Sequence, residues 1–532
     1  MGKIYILDCT LRDGGYVNDW NFGFDAINGF LQKLSLSNVD AVEVGFLRNV
    51  SYDKNRSLYP DKACLDELLK NKDKNIKYFA MYDVGSPLSK PVSEFGKCDG
   101  NGIDGVRVIF KKDKIDDGMK AVKDFIDLGY LVAVNFVSTN FYTDDEFIEG
   151  VNRANALKPY TITIVDTFGS MKNDEFLHYI KLADQYLDKD IMLSYHAHNN
   201  LQQAYQNAVS FVNLKLTRDI LIDASVFGMG RGAGNLNIEL FMEYLNTNYN
   251  KDYHIVPVLE IMDEYLQDTY KNNFWGYSLP LYISGTLNVH PNYAIYLAEK
   301  GTLTEKSLYE ILDNIPAEYV QKYNKDNAEK FYLDYMNVYR DDADDIEKLS
   351  NELKDKEILL LAPGKSINEN KDLIKSELAK DNVASISLNF YNNDFKTDYL
   401  FSSNMRRYNK LDDKIGKEIN AKVILTSNMR EAKNKDYVLN FYSYSIENKD
   451  IVDNAALMVI KLLIKLGVKK VMIAGADGYD EKNPYVYSDA ITHFDFSNVA
   501  KARNESIKKE LNIFKKSIDI EFLTPSVYNH PL

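Results

Sequence analysis

The stretch I-Y-I-L-D-C-T-L-R-D-G-G-Y, residues 4–16, is an apolar run of strand length that passes directly into an Arg-Asp pair and two glycines. An apolar run of this length next to turn residues is typical of a buried strand. Charged side chains at the end of such a strand need partners, either each other or a ligand. We therefore expect Arg12 and Asp13 to lie in a binding site or in an ion pair.

A second stretch of the same kind, M-L-S-Y-H-A-H-N-N, spans residues 192–200. Side chains two positions apart on a strand share a face, so His196 and His198 point the same way. Two imidazoles with one carboxylate, supplied by Asp13, form a three-ligand set for a divalent ion with open positions. The sequence therefore predicts a metal site built from residues far apart along the chain.

Apolar runs of strand length alternate with amphipathic helical segments through the first half of the chain. The eight runs are residues 4–7, 41–44, 78–82, 106–110, 131–137, 161–165, 191–195 and 220–226. Eight strands, each followed by a helix, predict an α/β fold in which a (β/α)8 TIM barrel closes on itself. An open doubly wound sheet is the alternative. The count of eight and the polar residues at the strand ends favour the barrel.

In such a barrel the catalytic groups lie at the carboxyl ends of the strands. Closure brings the first strand beside the eighth and close to the seventh, so Asn235 can reach the ion predicted at Asp13 and the histidines. Other polar residues at or near these ends are our candidates for substrate binding. They are Tyr82, Arg107, Asn135, Asp166 and Thr167.

Composition limits the class of protein. The chain has 532 residues, 45% of them hydrophobic, with a net charge of -14. This acidic balance argues against nucleic acid and against an anionic membrane surface as partners. Its three cysteines form no ligand spacing, which suits a reducing compartment. Without a signal pattern or a long apolar stretch, we expect a cytoplasmic protein that is neither secreted nor inserted in a membrane.

Five motifs in sequence order resemble the DRE-TIM metallolyases. They are D-C-T-L-R-D-G-G at 8–15, V-E-V-G at 42–45, V-D-T-F-G at 165–169, H-A-H-N-N at 196–200 and G-M-G-R-G-A-G-N at 228–235. That superfamily includes 4-hydroxy-2-oxovalerate aldolase, 3-hydroxy-3-methylglutaryl-CoA lyase, and the isopropylmalate and homocitrate synthases. The resemblance implies a metal-dependent enzyme that makes or breaks carbon-carbon bonds.

Carried over to this chain, the resemblance implies that Asp13, His196 and His198 hold the divalent metal. Asn235 would be a further ligand or a group that supports the ligands. Mn²⁺ or Mg²⁺ is the expected ion, with Zn²⁺ or Co²⁺ as alternatives.

The resemblance also implies catalytic roles for Arg12 and Glu43. Arg12 would face the developing enolate oxygen, and Glu43 would orient Arg12 and the metal end of the site. A metal and a guanidinium stabilise an enolate because both place positive charge where negative charge develops.

The chain departs from the superfamily at Tyr16, three residues beyond the motif aspartate. The pyruvate aldolases carry His at this position, and the acetyl-CoA condensing synthases usually carry Gln. A phenol, with an ordinary pKa near 10, can relay or donate a proton, or it can simply form a pocket wall. His290, in the segment after the barrel, is a candidate for the acid or base that Tyr16 replaces, and a structural histidine is the alternative.

The remainder of the chain predicts a second α/β unit. We expect the barrel over residues 1–275, a helical extension and linker over 276–350, and a Rossmann-like domain over 351–532. The charged run R-D-D-A-D-D at 340–345 predicts a solvated helix or linker rather than a metal-binding cluster. Strand-like runs follow at 358–362, 384–388, 399–402, 423–426 and 471–474.

The turn P-G-K-S at 363–366 is not a P-loop, because Leu359 occupies the position of the required glycine. A turn of small residues at a helix start is still a general anion-binding arrangement. No G-x-G-x-x-G fingerprint occurs in this region, which argues against NAD.

The A-P-G-K-S stretch and L-G-V-K-K-V-M-I-A-G-A-D-G-Y at 466–479 loosely resemble Rossmann-like domains of bacterial sialyltransferases and of pterin diphosphokinase-like proteins. The resemblance implies a nucleotide or nucleotide-sugar pocket, with His493 as a base, and a degenerate domain used for assembly is the alternative. The residues expected to line that pocket are Gly364, Ser366, Asn389 and Asp477.

The sequence as a whole predicts a metal-dependent, class II type lyase or aldolase. Its substrates would be a 2-oxo acid of the pyruvate type and an aldehyde or ketone acceptor, in the synthesis of a surface-polysaccharide sugar. The alternatives are a Claisen condensation with acetyl-CoA and a non-catalytic sensor that uses the metal to hold a ligand. We expect a homo-oligomer.

Overall fold

The apolar run after Lys3 forms the first of eight parallel strands that close into a barrel. A ninth strand, β3, is a two-residue addition at the edge of β2, with which it pairs. The strands are β1 (Ile4–Asp8), β2 (Ala41–Leu47), β3 (Leu58–Tyr59), β4 (Lys77–Asp83), β5 (Gly105–Phe110), β6 (Leu131–Phe136), β7 (Thr161–Asp166), β8 (Met192–Ala197) and β9 (Ile220–Ala224). The strand order β1-β9-β8-β7-β6-β5-β4-β2, closed by pairing of β1 with β2, confirms the predicted TIM barrel.

The computed structural model describes residues 1–479 and 497–529, so His493 lies outside the described residues. The chain divides into two compact units, Met1–Ala294 and Ile295–Leu532. The three predicted domain ranges, 1–275, 276–350 and 351–532, stay predictions.

Helices surround the barrel because each buries one apolar face against the strands. The helix Ile115–Asp127, for example, buries Met119, Val122 and Phe125 and turns its aspartates outward. The longer helices of this unit are Phe24–Leu36, Lys62–Leu68, Ile115–Asp127, Asp144–Leu157, Asn173–Tyr186, Ala204–Asn213, Ile238–Tyr249, Ile255–Ile261 and Leu279–Thr286. The short turns Thr10–Asp13 and Gly15–Asn18 follow β1 directly.

The barrel interior differs from its apolar outer layer. Glu43, Arg107 and Asp223 lie inside it and are almost completely buried. Buried charges are stable only when they are paired, and these three residues form ion pairs with one another. The barrel therefore carries a charged core directly below its carboxyl-end mouth.

The second unit contains a seven-stranded, all-parallel sheet of the Rossmann-like type. Its strands are β10 (Glu357–Leu361), β11 (Val383–Leu388), β12 (Tyr399–Ser402), β13 (Lys422–Thr426), β14 (Tyr437–Leu439), β15 (Lys470–Ala474) and β16 (Asp519–Phe522). The order is β14-β13-β12-β11-β10-β15-β16. Strands β11 to β14 are added in sequence on one side of β10, and β15 and β16 on the other. The strand order therefore reverses between β10 and β15.

Helices of several lengths accompany this sheet. They are Glu305–Asp313, Ala317–Val320, Lys325–Met336, Ala343–Leu353, Ser366–Glu369, Lys371–Leu378, Met405–Tyr408, Phe441–Tyr444, Ala455–Leu466 and Ser497–Phe514. The helix Ala343–Leu353 lies in the predicted charged segment. Within residues 1–479 and 497–529, no helix is both long and apolar enough to cross a membrane.

Candidate metal centre at the mouth of the barrel

The chain turns sharply where β1 leaves the barrel. The carboxylate of Asp8 accepts hydrogen bonds from the backbone N–H of Thr10 at 3.0 Å and from its Oγ1 at 2.7 Å. These bonds hold the start of the helical turn Thr10–Asp13, on which Arg12 and Asp13 are both buried. The turn thus carries both charged side chains into the mouth of the barrel.

Asp13 meets the two histidines of β8 and its following loop at this mouth. Asp13, His196 and His198 each offer one ligand atom, and these atoms lie within 4.8 Å of one another. Oδ2 of Asp13 is 3.7 Å from Nδ1 of His198. The structure therefore brings together the three residues predicted to hold a metal.

Asn235 completes this cluster. Its Nδ2 donates to Oδ2 of Asp13 at 2.8 Å and to the carbonyl oxygen of Met229 at 3.1 Å. Among the described residues its Oδ1 has no hydrogen-bond partner, although it is buried. A buried, unused amide oxygen costs free energy unless a ligand satisfies it. Asn235 is therefore placed to supply a fourth ligand atom.

The charge states of this cluster suit a divalent cation. Burial opposes ionisation of Asp13, but Arg12 and the histidines nevertheless hold its pKa well below the ordinary value. Burial lowers the pKa of His198 to about 3, against the attraction of Asp13. An ionised carboxylate and a neutral imidazole are the forms that bind metals. The donor set of oxygen and nitrogen atoms fits Mn²⁺, Mg²⁺, Co²⁺ or Zn²⁺.

Arg12 lies beside the cluster in a fixed orientation. Its Nε donates to Oε2 of Glu43 at 2.7 Å, and its Nη1 donates to Oδ1 of Asp13. Its Nη2 is buried and has no hydrogen-bond partner among the described residues. Arg12 can therefore donate to a ligand atom at the mouth, and Glu43 holds it in place. The catalytic roles of both residues stay predictions.

Asp223 is an important residue that the sequence motifs did not single out. Its Oδ2 lies 3.0 Å from Nδ1 of His196 and also accepts a hydrogen bond from Nη2 of Arg107. Burial opposes its ionisation, but Arg107 keeps its pKa below the ordinary value. This contact leaves Nε2 of His196 for a metal, as carboxylates do behind many metal-bound histidines. The signal was present, because an aspartate interrupts the apolar run I-L-I-D-A.

The predicted substrate-binding residues do not converge on one place. Asn135 faces the interior, is 1% exposed and has an unpartnered Oδ1 among the described residues. Arg107 lies in the charged core and pairs with Glu43 and Asp223. Asn135 is therefore placed to contact a ligand, whereas Arg107 is engaged in the core.

The side chains of Tyr82, Asp166 and Thr167 already have hydrogen-bond partners within the protein. Tyr82 packs against Phe125 of a surrounding helix at 5.1 Å between ring centroids, and its hydroxyl donates to the carbonyl oxygen of Lys90. The carboxylate of Asp166 accepts the backbone N–H groups of residues 170 and 171. Oγ1 of Thr167 accepts the backbone N–H of residue 138. The structure thus directs the Tyr82 side chain away from the mouth.

Tyr16 and His290 both lie near the mouth. Tyr16 is 42% exposed, and its phenol, with an ordinary pKa near 10, is protonated at neutral pH and can act as a proton donor rather than a base. Its ring packs edge-on against Trp20 at 4.8 Å between centroids. The pKa of His290 is lowered to about 3 by burial and then by Arg231 and Lys111. A neutral imidazole with so low a pKa is a weak base at neutral pH.

In the second unit, three of the four predicted pocket residues lie together. Ser366 donates its backbone N–H to Oδ2 of Asp477 at 2.9 Å, and its hydroxyl donates to Oδ1 of the same carboxylate. Gly364 is also close, since a Cβ there would lie 2.5 Å from Oδ1 of Asp477. Asn389 lines the same cavity as Gly364 and Asp477. Asp477 therefore occupies the position that a bound anion would take at this turn.

Comparison with known proteins agrees with the barrel geometry. Residues 110–261 match the HMGL-like family. The chain is 24% identical over 246 residues to 4-hydroxy-2-oxovalerate aldolase of Geobacillus genomosp. 3, covering 46% of this chain and 70% of that protein. It is 22% identical over 240 residues to oxaloacetate decarboxylase of Mycobacterium tuberculosis, covering 45% of this chain and 69% of that protein.

A solved structure is similar in fold. The carboxyl transferase domain of Rhizobium etli pyruvate carboxylase superimposes with a TM-score of 0.50 at 13% identity, covering 66% of this chain and 65% of that chain. At this identity the likeness concerns the fold alone. The matches together confirm the predicted resemblance of the barrel to the DRE-TIM metallolyases.

Proposed function

We propose that the barrel is a divalent-metal-dependent lyase or aldolase that makes or breaks a carbon-carbon bond beside the carbonyl group of a 2-oxo acid. The observation that carries the proposal is the cluster of Asp13, His196 and His198 next to a guanidinium with an unused N–H. Relatives named as a hydroxy-oxovalerate aldolase and an oxaloacetate decarboxylase support the same substrate class.

Each residue of the mouth would have a separate role in the reaction. A divalent ion held by the cluster would supply positive charge to the carboxylate and carbonyl oxygens of the 2-oxo acid. Arg12 donates its unused N–H toward the oxygen that becomes negative in the enolate. Glu43 keeps the guanidinium aimed there. Tyr16, which stays protonated, can donate a proton to the enolate carbon after bond cleavage, or to the acceptor's carbonyl oxygen as it becomes a hydroxyl during bond formation.

The mouth also suits enolate chemistry because its charges are fixed before a substrate arrives. Arg12 is held by carboxylates on two sides, and Oδ2 of Asp223 lies 3.0 Å from Nδ1 of His196. Groups that are already oriented stabilise a developing charge without reorganising at the moment of reaction.

Claisen condensation with acetyl-CoA is the alternative enzymatic function. It uses the same enolate logic but predicts release of free CoA thiol only when a 2-oxo acid acceptor is present. A non-catalytic sensor would bind the metal and the 2-oxo acid without turnover. The intact motif set, with Arg12 and Glu43 beside the three candidate ligands, favours an enzyme.

The test is deuterium exchange into the methyl group of pyruvate, followed by NMR with the full chain in heavy water. We expect exchange that requires Mn²⁺ or Mg²⁺ and stops on chelation, because enolisation alone needs no acceptor. Metal-loaded protein that binds pyruvate without exchange would contradict the proposal for pyruvate-type donors. Exchange into the acetyl group of acetyl-CoA instead would favour the Claisen function.

A second proposal concerns the second unit, which we expect to bind a phosphorylated small molecule such as a nucleotide or nucleotide-sugar. A cavity of 220 Å³ opens beside the carboxyl ends of β10 and β15, where the strand order reverses. Ligands of open parallel sheets bind at such reversal points. The basic residues that line the cavity are Lys300, Arg407 and Arg503; Lys300 also pairs with Glu329, and three aspartates, Asp450, Asp453 and Asp477, line the cavity as well.

The first turn of the helix Ala455–Leu466 also lines this cavity, and the N-terminus of a helix attracts anions. The turn at Ser366 is already filled by Asp477, so we place the phosphate near the cations instead. Binding of ATP and of a uridine diphosphate sugar can be measured by thermal shift. Arg407→Glu should remove the shift, whereas Arg430→Glu, outside the cavity, should keep it. A role in surface-polysaccharide sugar synthesis stays a prediction.

A further inference from the structure

The backbone of Arg231 lies directly beside the cluster of Asp13, His196 and His198. Its backbone N–H points to Oδ2 of Asp13 at 3.4 Å. The preceding residue is glycine, and a Cβ there would lie 2.6 Å from the same oxygen and 2.3 Å from Nδ2 of Asn235. The close approach fixes the start of the Arg231 side chain beside Asp13.

The side chain of Arg231 crosses the mouth of the barrel. Its Nη2 donates to the carbonyl oxygen of Thr167 at 3.0 Å. Thr167 follows β7 whereas Asp13 follows β1, and β9 and β8 lie between them. The guanidinium therefore passes over the end of β8, close to His198. The positive charge of Arg231 contributes to lowering the pKa of both His198 and His290.

Arg231 differs from the other arginines of this region in its partners. Arg12, Arg48 and Arg107 lie 2.7, 3.2 and 3.2 Å from carboxylate oxygens. Within the described part of the chain, Arg231 forms no ion pair, and its guanidinium contacts a carbonyl oxygen and, at 5.8 Å, the ring of Tyr16. A guanidinium has five N–H donors, so most of them are available to a ligand.

We propose that Arg231 binds a second carboxylate of the substrate, at the end of the molecule away from the 2-oxo group. The inference rests on the proposed function and narrows it to 2-oxo dicarboxylic acids. The buried cluster and the buried Arg12 would serve the 2-oxo acid end, whereas the half-buried Arg231 lies closer to solvent. A single guanidinium, already bound to Thr167, matches the one charge of a carboxylate better than the two charges of a phosphate.

Binding measurements on the Mn²⁺-loaded full chain test this assignment without relying on turnover. Two matched pairs of ligands are compared by calorimetry: oxaloacetate with 2-oxobutyrate, and 2-oxoglutarate with 2-oxopentanoate. Each pair has equal chain length, and only one member carries the second carboxylate. We expect roughly tenfold or more tighter binding of the dicarboxylate in at least one pair. Arg231→Met should abolish that preference, and Arg231→Lys should restore part of it.

Arg48→Met is the matched control, because it removes the same charge from the same rim of the barrel. It should keep the preference for the dicarboxylate, since Arg48 is already paired with Asp83 at 3.2 Å. Equal binding of both members in both pairs would overturn the inference. So would an equal loss of both members in Arg231→Met, which would mean that Arg231 binds the 2-oxo acid end itself.

The outcome can be separated from that of the proposed function. Metal-dependent pyruvate exchange without any dicarboxylate preference would overturn only the role of Arg231. A dicarboxylate preference without exchange would overturn the reaction and leave Arg231 as an anion-binding residue.

Discussion

At the carboxyl edge of the barrel, buried polar atoms of Arg12, Asn135 and Asn235 have no partner among the described residues. At the carboxyl edge of the second sheet, Asp477 accepts both the backbone N–H and the hydroxyl of Ser366. The two edges have the same topology of parallel strands. The barrel mouth and the turn at Ser366 differ in whether the chain satisfies its own polar groups, although among the described residues the second sheet also has an unpartnered buried hydroxyl, Oγ of Ser403, after β12.

This difference indicates where a ligand is needed. An unpartnered buried donor or acceptor costs about 1–3 kcal/mol, so a folded chain keeps several of them together only where something else pairs with them. At the barrel mouth, Arg12 is paired with Glu43 and Asp13, whereas its Nη2 has no hydrogen-bond partner among the described residues. The turn at Ser366 is satisfied internally, which moves any anion site in that unit to the neighbouring cavity.

Among the variants proposed, His196→Ala should have the largest effect. Removal of one of three ligands should abolish metal retention and lower the pyruvate exchange rate by at least about 10²–10³-fold, because the charge at the mouth is lost. Metal content is measured by elemental analysis after gel filtration. His178→Ala removes an exposed histidine paired with Asp144 and should change neither quantity. Undiminished metal in His196→Ala would remove the proposed ligand set.

Arg12→Lys tests whether the unused N–H of the barrel edge has a chemical role. Lysine keeps the charge but cannot bond Glu43 and Asp13 and still donate toward the substrate. We expect exchange to fall about 10²-fold, with metal content unchanged. Arg48→Lys is the control at the same rim. An exchange rate equal to the wild type would take Arg12 out of the reaction.

Asp223→Asn tests the support behind the cluster. Loss of the carboxylate at His196 should weaken Mn²⁺ affinity about 10–100-fold, measured by calorimetry. Destabilisation through Arg107 is expected as well, so a second, half-buried carboxylate provides the control. Asp40→Asn removes the acceptor of Ile6 and Tyr253 at the other end of β1 and should leave metal affinity unchanged. Equal affinity losses in the two variants would reduce Asp223 to a structural role.

The sequence predicted the barrel well because its strands are apolar runs with a regular alternation of helices. The cluster of Asp13, His196 and His198 was also predictable, since side-chain alternation and barrel closure determine which residues meet. Two strands of the second sheet were not predicted. β14 has only three residues, and β16 alternates exposed and half-buried residues, so neither has the apolar run of a buried strand.

The parts of the site that were missed depend on long-range contacts. Asp223 was missed, and Arg107 was expected to bind substrate, because no local pattern predicts the buried ion pair that these two residues form across the barrel. Tyr82 lies on the strand at the correct height, but its side chain points to the helix layer. A shift of one residue in the alternation reverses the face of a strand residue, and only packing determines which face is inward.

Asp166, a buried carboxylate that is hydrogen-bonded within the barrel, should have a smaller effect, which is seen in the pH dependence of stability. Burial raises the pKa of Asp166 to about 7, partly offset by the backbone N–H groups of residues 170 and 171. The folded state then binds a proton more tightly than the unfolded state, so its contribution to stability is present at low pH and is lost as pH rises toward 7.

Relative to Asp166→Asn, wild-type stability should therefore fall by about 2 kcal/mol between about pH 5.5 and about pH 7. Urea unfolding at both pH values measures it, and the difference between the two proteins cancels other titrating groups. A difference independent of pH would mean that Asp166 is ionised throughout this range.

Ser366→Ala has the smallest expected effect and tests the turn of the second unit, whose polar groups are paired within the protein. The Ser366 hydroxyl is buried and bonds both Asp477 and, at 2.8 Å, Oγ1 of Thr524. Its loss should cost about 1–2 kcal/mol and raise hydrogen exchange in β10 and β15. Ser376→Ala removes an exposed hydroxyl of the same unit and should change exchange little. Hydrogen exchange of the barrel amides should be unaffected in both variants, because Ser366 forms its hydrogen bonds with Asp477 and Thr524 of its own unit. Unchanged exchange in β10 would mean that the backbone N–H of Ser366 alone holds Asp477, and that the turn could release this carboxylate to admit an anion.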